Sequence, residues 1–396
     1  MALIYNATFD KNTRKLSFED KAGNEIYSFT VPERAPAVDD IKKPLTFRAT
    51  QDGSTVKLRK SGNIYSKFQT SRDGGNTWTD YTLDTAITLN TGDEVSFRVV
   101  AYSKPSYNKF HVFKMTGKIE AWHNVMSITQ RGGSPMQAPM GEYEFQLLFS
   151  GCQSLTKAPV LPATTLAGNC YYRMFSGCQS LTKAPVLPAT TLADRCYLYM
   201  FDGCQSLTEA PELPATTLVD YCYSGMFYGC QSLTKAPELP ATTLAENCYS
   251  DMFYGCQSLT KAPELPATAL ASTCYNRMFY GCRSLTKAPE LPATTLADYC
   301  YWQMFEGCQS LTKAPELPAT TLTQNCYKSM FSGCQSLKEV RIAATTTATD
   351  ALTDWLKDVS ATGDFYCDPS ATIFPTDSAS GIPANWNRHA LADYPN

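Results

Sequence analysis

Residues 174–199 read MFSGCQSLTKAPVLPATTLADRCYLY, and the same 26-residue stretch returns nearly letter for letter from Met200, Met226, Met252, Met278 and Met304. An earlier copy opens at Leu148-Phe149 and a truncated one at Met330, giving seven full units and a partial eighth. A fixed period of this length marks a solenoid, because one unit cannot bury its apolar face alone and stacked neighbours must supply the core.

Within the unit, Pro188-Ala189-Thr190-Thr191 precedes a run from Leu192 to Asp202 that Gly203 closes, the punctuation of a short helix. Leu192, Cys196 and Met200 recur at i, i+4 and i+8, flanked by Ala193, Tyr197 and Phe201, so the run predicts one broad buried helical stripe. The first half, Ser180-Leu181-Thr182-Lys183-Ala184, predicts a short parallel strand that Pro185, lacking an N–H, brings to a stop. Leu155 and its equivalents to Leu337 should form one apolar column, and Phe149 and its equivalents to Phe331 another. At roughly 5 Å per stacked strand, seven units make a rod of roughly 35 Å.

Upstream of the repeats the pattern changes to short alternating runs. Residues 1–40 predict strands around Tyr5 to Phe9, Leu16 to Phe18 and Ile26 to Phe29, with turns at Asp10-Lys11-Asn12 and Ala22-Gly23-Asn24. They read either as an edge hairpin of the next domain or as an anchor on a larger assembly. Residues 41–118 predict an all-β, Ig-like sandwich with strands at Leu45–Ala49, Thr55–Lys60, Lys67–Ser71, Thr77–Thr82, Glu94–Ala101 and Phe110–Lys118. Residues 119–147, with Arg131-Gly132-Gly133-Ser134-Pro135 and Pro139, predict a linker and N-terminal cap to the solenoid at 148–333. Residues 334–396 predict a C-terminal cap, with a strand at Lys338–Ile342 and an amphipathic helix from Asp350 to Val359 carrying Leu352, Trp355 and Leu356.

The repeat corner, Phe201-Asp202-Gly203-Cys204-Gln205-Ser206-Leu207, resembles the aromatic-x-Gly-Cys-x-x-Leu corner of the BspA-like (Treponema pallidum type) leucine-rich repeats of bacterial surface antigens. The longer pattern, Ala-Pro-x-Leu-Pro-Ala-Thr-Thr-Leu-Ala with Cys-Tyr-x-x-Met-Phe, resembles repeats in proteins of gut Bacteroidetes and their phages, as does the ending Gly381-Ile382-Pro383-Ala384-Asn385-Trp386. The resemblance covers 148–340 and implies adhesion or interaction rather than catalysis. The expected fold is therefore α+β and multidomain: an N-terminal all-β sandwich, then a right-handed leucine-rich-repeat solenoid with a short parallel strand and a short helix per repeat, then a cap.

Composition narrows the partners. A formal net charge of −3 with 18% charged residues leaves no electrostatic footprint for nucleic acid. No apolar run approaches the roughly 18 residues of a membrane span, so no membrane insertion is expected. Residues 1–7 lack a basic n-region and apolar core, and the first cysteine is Cys152, so neither a signal peptide nor a lipoprotein cysteine is expected. Fifteen of the sixteen cysteines fall in the repeat lattice at alternating spacings of 18 and 8, with Cys367 outside it. No C-x-x-C pair occurs and His111, His123 and His389 are scattered, so no metal site and no cofactor are expected. Buried reduced columns are the favoured reading of these cysteines, with cross-links between adjacent units as the alternative.

Catalytic motifs are not found, and repeated Ser, Thr and Lys are lattice residues, so no catalytic residues are assigned. Ser71-Arg72-Asp73-Gly74-Gly75-Asn76-Thr77-Trp78 matches the Asp-box of sialidase-like propellers, and its plainer reading is a hairpin turn. The informative positions are those that differ between otherwise identical units. They lie on two stripes opposite the Leu/Cys/Met face and carry Tyr172, Arg173, Leu198, Tyr199, Tyr221, Tyr228, Tyr254, Arg277, Tyr280, Tyr299 and Trp302. Tyr, Trp and Arg on a rigid frame is the palette of a binding surface, and neutral drift of solvent-facing positions is the competing explanation.

The expected function is a non-enzymatic adhesion protein on a phage virion surface, a fibre or decoration that offers its repeat rod to a bacterial surface glycan or protein. Its N-terminal region would meet other virion proteins, and a homo-oligomer is compatible with fibrous display. The alternatives are a bacterial cell-surface adhesin, extracellular, and a glycan-processing enzyme resting on the Asp-box alone.

Overall fold

The computed structural model describes residues 6–9, 15–19, 25–30, 42–129, 140–376 and 379–394. The turns read at 10–12 and 22–24 and the glycine–proline stretch at 131–139 lie outside the described residues. Strands β1 (Asn6–Phe9), β2 (Lys15–Glu19) and β3 (Glu25–Thr30) form one antiparallel sheet in that order, with Phe9 opposite Leu16 and Phe18 opposite Tyr27.

The sandwich comprises β4 (Thr46–Ala49), β5 (Ser54–Ser61), β6 (Lys67–Ser71), β7 (Thr79–Tyr81), β8 (Ile87–Leu89), β9 (Glu94–Ala101), β10 (Phe110–Thr116) and β11 (Ile119–Trp122). Alternation decides which side of each strand is buried: Val56 and Leu58 on β5 turn inward while Arg59 and Lys60 remain outside. One sheet runs β10-β5-β8, and the other contains β11-β4-β9-β6-β7. Phe47 on β4 and Phe113 on β10 meet across the two layers with ring centroids 4.7 Å apart, and Phe97 closes edge-on against both.

The second sheet does not end at β11. It continues into the first repeat through β12 (Leu155–Lys157), which pairs in parallel with β11. Phe113 also stacks on Phe149 at 5.5 Å, and Cys152 Sγ donates to the Phe113 carbonyl at 3.1 Å. Every later repeat has the same bond, as in Cys178 to Phe149 and Cys204 to Phe175. Phe113 thus occupies the place of a repeat phenylalanine, and the sandwich is the N-terminal cap of the rod.

The expected helix in each repeat is not formed. Among the described residues no helix reaches seven residues and the helical elements that lie wholly within them are two short 3-10 turns, Val125–Ile128 and Leu391–Asp393, so the α+β expectation is corrected to an essentially all-β chain. The run read as a helix is instead a ribbon of overlapping turns. In one ribbon the N–H groups of Cys170, Tyr172, Met174, Ser176 and Cys178 donate to carbonyls three residues back, at 3.0–3.3 Å. The alternate N–H groups of Asn169, Tyr171, Arg173, Phe175 and Gly177 donate to Asp194, Cys196, Leu198, Met200 and Asp202 of the next coil, at 2.7–3.0 Å. Every N–H in the ribbon is thereby satisfied, and half of them tie neighbouring coils together.

Two physical reasons defeat the helix. The stacked Phe column from Phe149 to Phe331 keeps centroids 5.4–5.7 Å apart, and the Tyr column from Tyr171 to Tyr327 keeps 5.7–6.0 Å. Helices side by side need roughly 8–10 Å between axes, so they do not fit that pitch. Cross-coil bonding also requires a left-handed residue at every fourth position, as at Asn169 (φ 55°), Arg173 (φ 51°) and Gly177 (φ 73°). A non-glycine residue there costs roughly 1–2 kcal/mol, offset here by the bonds to the next coil.

The same three-point pattern recurs in nine described coils, from Tyr143, Leu147 and Gly151 to Asp350, Asp354 and Asp358. The amphipathic helix expected at Asp350–Val359 is therefore corrected as well: it is a ninth turn ribbon, one residue shorter in period. The strand expected at Ser180–Ala184 contracts to single bridges such as Lys183 to Glu209 and Lys235 to Lys261. After the ribbons, β13 (Glu339–Arg341), β14 (Gly363–Cys367) and β15 (Trp386–Ala390) form a parallel sheet. Trp355 is fully buried against Phe365 and Phe374 and donates Nε1–H to the Gly381 carbonyl at 3.1 Å, closing the C-terminal end.

All sixteen cysteines are buried and free. Burial pushes the thiols of Cys152, Cys170, Cys222, Cys274 and Cys334 up to about 12, which leaves almost no thiolate at pH 8. The native chain is expected to react negligibly with Ellman's reagent at pH 8 and to yield all sixteen thiols once denatured. Fast labelling of repeat cysteines without denaturant would contradict the burial.

Candidate functional site: the outward face of the turn ribbons

Each ribbon alternates two inward residues with two outward ones. Cys196-Tyr197 and Met200-Phe201 face the core, while Asp194-Arg195, Leu198-Tyr199 and Asp202 face outward. The outward positions stack into five columns along the rod, and these columns hold nearly all the sequence variation between units.

The eleven residues assigned to binding from the sequence all lie on this face and are half-exposed. Arg173, Tyr199, Tyr221, Arg277 and Tyr299 occupy left-handed positions. Tyr172, Leu198 and Trp302 share a second column, and Tyr228, Tyr254 and Tyr280 a third. They are spread along the rod in smaller groups. Tyr228, Tyr254 and Tyr280 stack face to face at 4.3 and 4.4 Å, so most ring faces cover one another and the edges and hydroxyls point outward. Arg173 lies over Tyr172 and Tyr199, Arg195 over Tyr221, and Arg277 over Trp302. The apolar area that the tyrosine content suggests is thus partly hidden by stacking and by guanidinium cover.

A different set of residues marks the centre of the face. Where flanking units carry Tyr172, Leu198, Trp302 and Lys328, the middle units carry Ser224, Ser250 and Asn276. In the adjoining column Gly225 and Asp251 stand between Tyr199 and Arg277. The bulky flanks overhang them: Ser224 is 4% exposed, Ser250 3%, Asp251 9% and Asn276 7%. The Tyr199 ring lies directly over Gly225, where a Cβ would come within 2.2 Å of the ring. The face therefore has a polar depression at its middle.

Its polar groups are poorly satisfied. Ser250 Oγ donates to Asp251 Oδ2 at 3.3 Å, and Asn276 Nδ2 to Ser250 Oγ at 3.5 Å, both long. Asp251 Oδ1 lies 3.6 Å from Arg277 Nε as an ion pair, yet Asp251 Oδ1, Asn276 Oδ1 and Arg277 Nε have no hydrogen-bond partner. Burial raises the Asp251 carboxyl above its ordinary value, and the neighbouring Arg277 charge only partly opposes this. Each buried unsatisfied group costs about 1–3 kcal/mol. Reading the sequence places Ser224, Ser250, Asp251 and Asn276 on the variable stripes but not among the binding residues; the available signal was small side chains in columns that are bulky on both sides.

The Asp-box has the structure of a turn. Asp73 accepts from Ser71 Oγ at 2.6 Å, Asn76 N at 3.0 Å, Thr77 N at 2.9 Å and Thr77 Oγ1 at 2.5 Å, and these bonds hold its carboxyl well below the usual range. Trp78 donates to the Gly75 carbonyl and stacks under Arg98. That carboxylate is committed to its own hairpin. Burial holds His111 down to about 4, a neutral ring packed against Phe68. His389 pairs with Asp364 at 2.8 Å on the C-terminal sheet. No group of three or more His, Cys, Asp or Glu side chains among the described residues is arranged to hold a metal ion. No helix among them is long and apolar enough to cross a membrane.

Stacked short-bridge coils with a constant core and a variable outward face define a repeat-rod protein of the binding kind. The model of the BspA type leucine-rich repeat region matches in six copies over residues 146–260 and 220–352, together more than half of the chain. The chain belongs to that family. It is a non-enzymatic repeat family associated with surface binding and adhesion. No curated protein and no solved structure matches the chain.

Proposed function

We propose that this chain is a non-enzymatic adhesion protein that presents the outward face of its turn ribbons to a glycan or protein on a bacterial surface. The observation that carries the reading is the division of labour within each ribbon. Inward positions repeat Cys, Tyr, Met and Phe almost without change, while outward positions on the same backbone carry Tyr, Trp, Arg, Asp, Asn and Ser. The sandwich and the C-terminal cap then serve as the ends of a rigid carrier. Display on a virion is the second part of the proposal, and proteomics of purified particles against host-cell envelopes tests it separately.

For the binding face, the purified full chain is compared on intact gut-bacterial cells with a variant carrying Tyr228, Tyr254, Tyr280 and Trp302 changed to Ser. Wild type should bind, and the folded variant should lose at least ten-fold in affinity, about 1.4 kcal/mol. Equal binding by both would move adhesion to another surface, and no binding to any strain would leave the rod a spacer.

A further inference from the structure

We propose that the depression formed by Ser250, Asp251, Asn276 and Arg277 is a subsite for a neutral sugar bearing vicinal hydroxyls. The inference rests on the adhesion reading above and names the class of ligand for its central site.

The unpartnered atoms set the ligand's chemistry. Asp251 Oδ1 and Asn276 Oδ1 are acceptors, and Arg277 Nε is a donor. An anion would meet two oxygen acceptors at short range, and an ammonium group would meet the Arg277 guanidinium. A pair of neighbouring hydroxyls satisfies all three, because each hydroxyl both donates and accepts. The outermost column of the same face carries Asp194, Asp220, Glu246 and Asp298, which weighs further against polyanions although Arg195 pairs with Asp194.

The three unpartnered atoms are themselves covered in the unliganded chain, while the side chains that bear two of them are open in part, Asp251 over 12% of its surface and Arg277 over 37%. Terminal carboxyl and amide torsions are soft, so either oxygen of Asp251 turns toward a ligand at little cost. Trp302 stands one coil along from Arg277 in the next column, its ring beneath the Arg277 guanidinium at 5.7 Å, and borders the cluster. The neighbouring coils hold the same backbone with Ser224-Gly225 and Trp302-Gln303 in place of these groups. The buried polar cluster is therefore not something the coil needs in order to fold.

The test titrates the full chain with neutral sugars (glucose, galactose, mannose, N-acetylglucosamine and their short oligomers) by saturation-transfer NMR and calorimetry. Two variants accompany it, Asp251→Asn and Asp251→Gly, chosen because both tolerate the left-handed backbone at this position (φ 56°). At least one sugar should bind with a dissociation constant of about a millimolar or below. Both variants should weaken that binding ten-fold or more while melting as cooperatively as wild type. The inference is overturned if no neutral sugar binds at tens of millimolar, the cluster then holding ordered water only. It is equally overturned if the Asp251 variants bind like wild type, or if sialylated or sulfated glycans bind in place of neutral ones. Should sugars fail while cell binding is still lost in Asp251→Gly, the ligand class is wrong and the adhesive face stands.

Discussion

Phe227→Ala is expected to destabilise the chain by about 3–5 kcal/mol, the cost of removing a fully buried aromatic ring and leaving its cavity. Phe227 lies in the middle of the Phe column, 5.7 Å from both Phe201 and Phe253, and is 0% exposed. The pitch of 26-residue coils is fixed by that column and by five cross-coil hydrogen bonds, so the neighbours cannot close up over the gap. In a solenoid, stability is a sum of unit and nearest-neighbour interface contributions, so a weak interface in mid-rod should also split the denaturant transition in two. Circular dichroism with urea measures both effects. Tyr254→Ala, at an equally central but half-exposed position, should cost about 1 kcal/mol. If the two variants unfold at the same denaturant concentration, the Phe column is not the spine of the rod.

The second large effect concerns the sandwich. A chain beginning at Ile119 should aggregate or fail to accumulate as a soluble monomer. Without residues 42–118 the Phe149 ring loses its stacking partner Phe113, and β11 loses β4. Cys152 loses the carbonyl that accepts its S–H hydrogen bond, and the open end of the apolar column faces water. Size-exclusion chromatography of the truncated and full chains gives the answer. A monomeric, cooperatively melting fragment from Ile119 onward would show that the repeats close their own end and that the sandwich is only attached to them.

The architecture was legible to different depths. The period of 26, the Leu and Phe columns and the buried cysteines follow directly from the repeat, because identical neighbours must stack identical residues. Six of the sandwich strands were legible from alternation, whereas β8 at Ile87–Leu89 was too short to announce itself and β11 at Ile119–Trp122 fell in the stretch read as linker and cap. The turn ribbon is not legible because Leu192, Cys196 and Met200, spaced by four, suit a helix as well as a four-residue turn repeat. The discriminating residue is Cys204, a fourth buried member that a helix would have rotated away by about 120°. Asn169, Asp251 and Asn325 at left-handed positions were a second clue, masked by Arg173, Tyr199 and Thr273 in the same roles. At the candidate site, the aromatic palette could be read from the variable columns. The depression could not, since Ser224, Gly225, Ser250 and Asn276 look like drift until their burial beneath larger neighbours is seen.

The alternating hydrogen bonds of the ribbons have a mechanical consequence. Bonds such as Tyr223 to Cys248 and Phe227 to Met252 join successive coils along the direction in which they stack. A pull along the rod passes through every interface in series, so each bears the same load and the weakest parts first. The rod then opens coil by coil, each 26-residue unit releasing about 90 Å of chain. Tension is dissipated in many modest steps, and the tether lengthens while the coils still folded keep their outward faces intact.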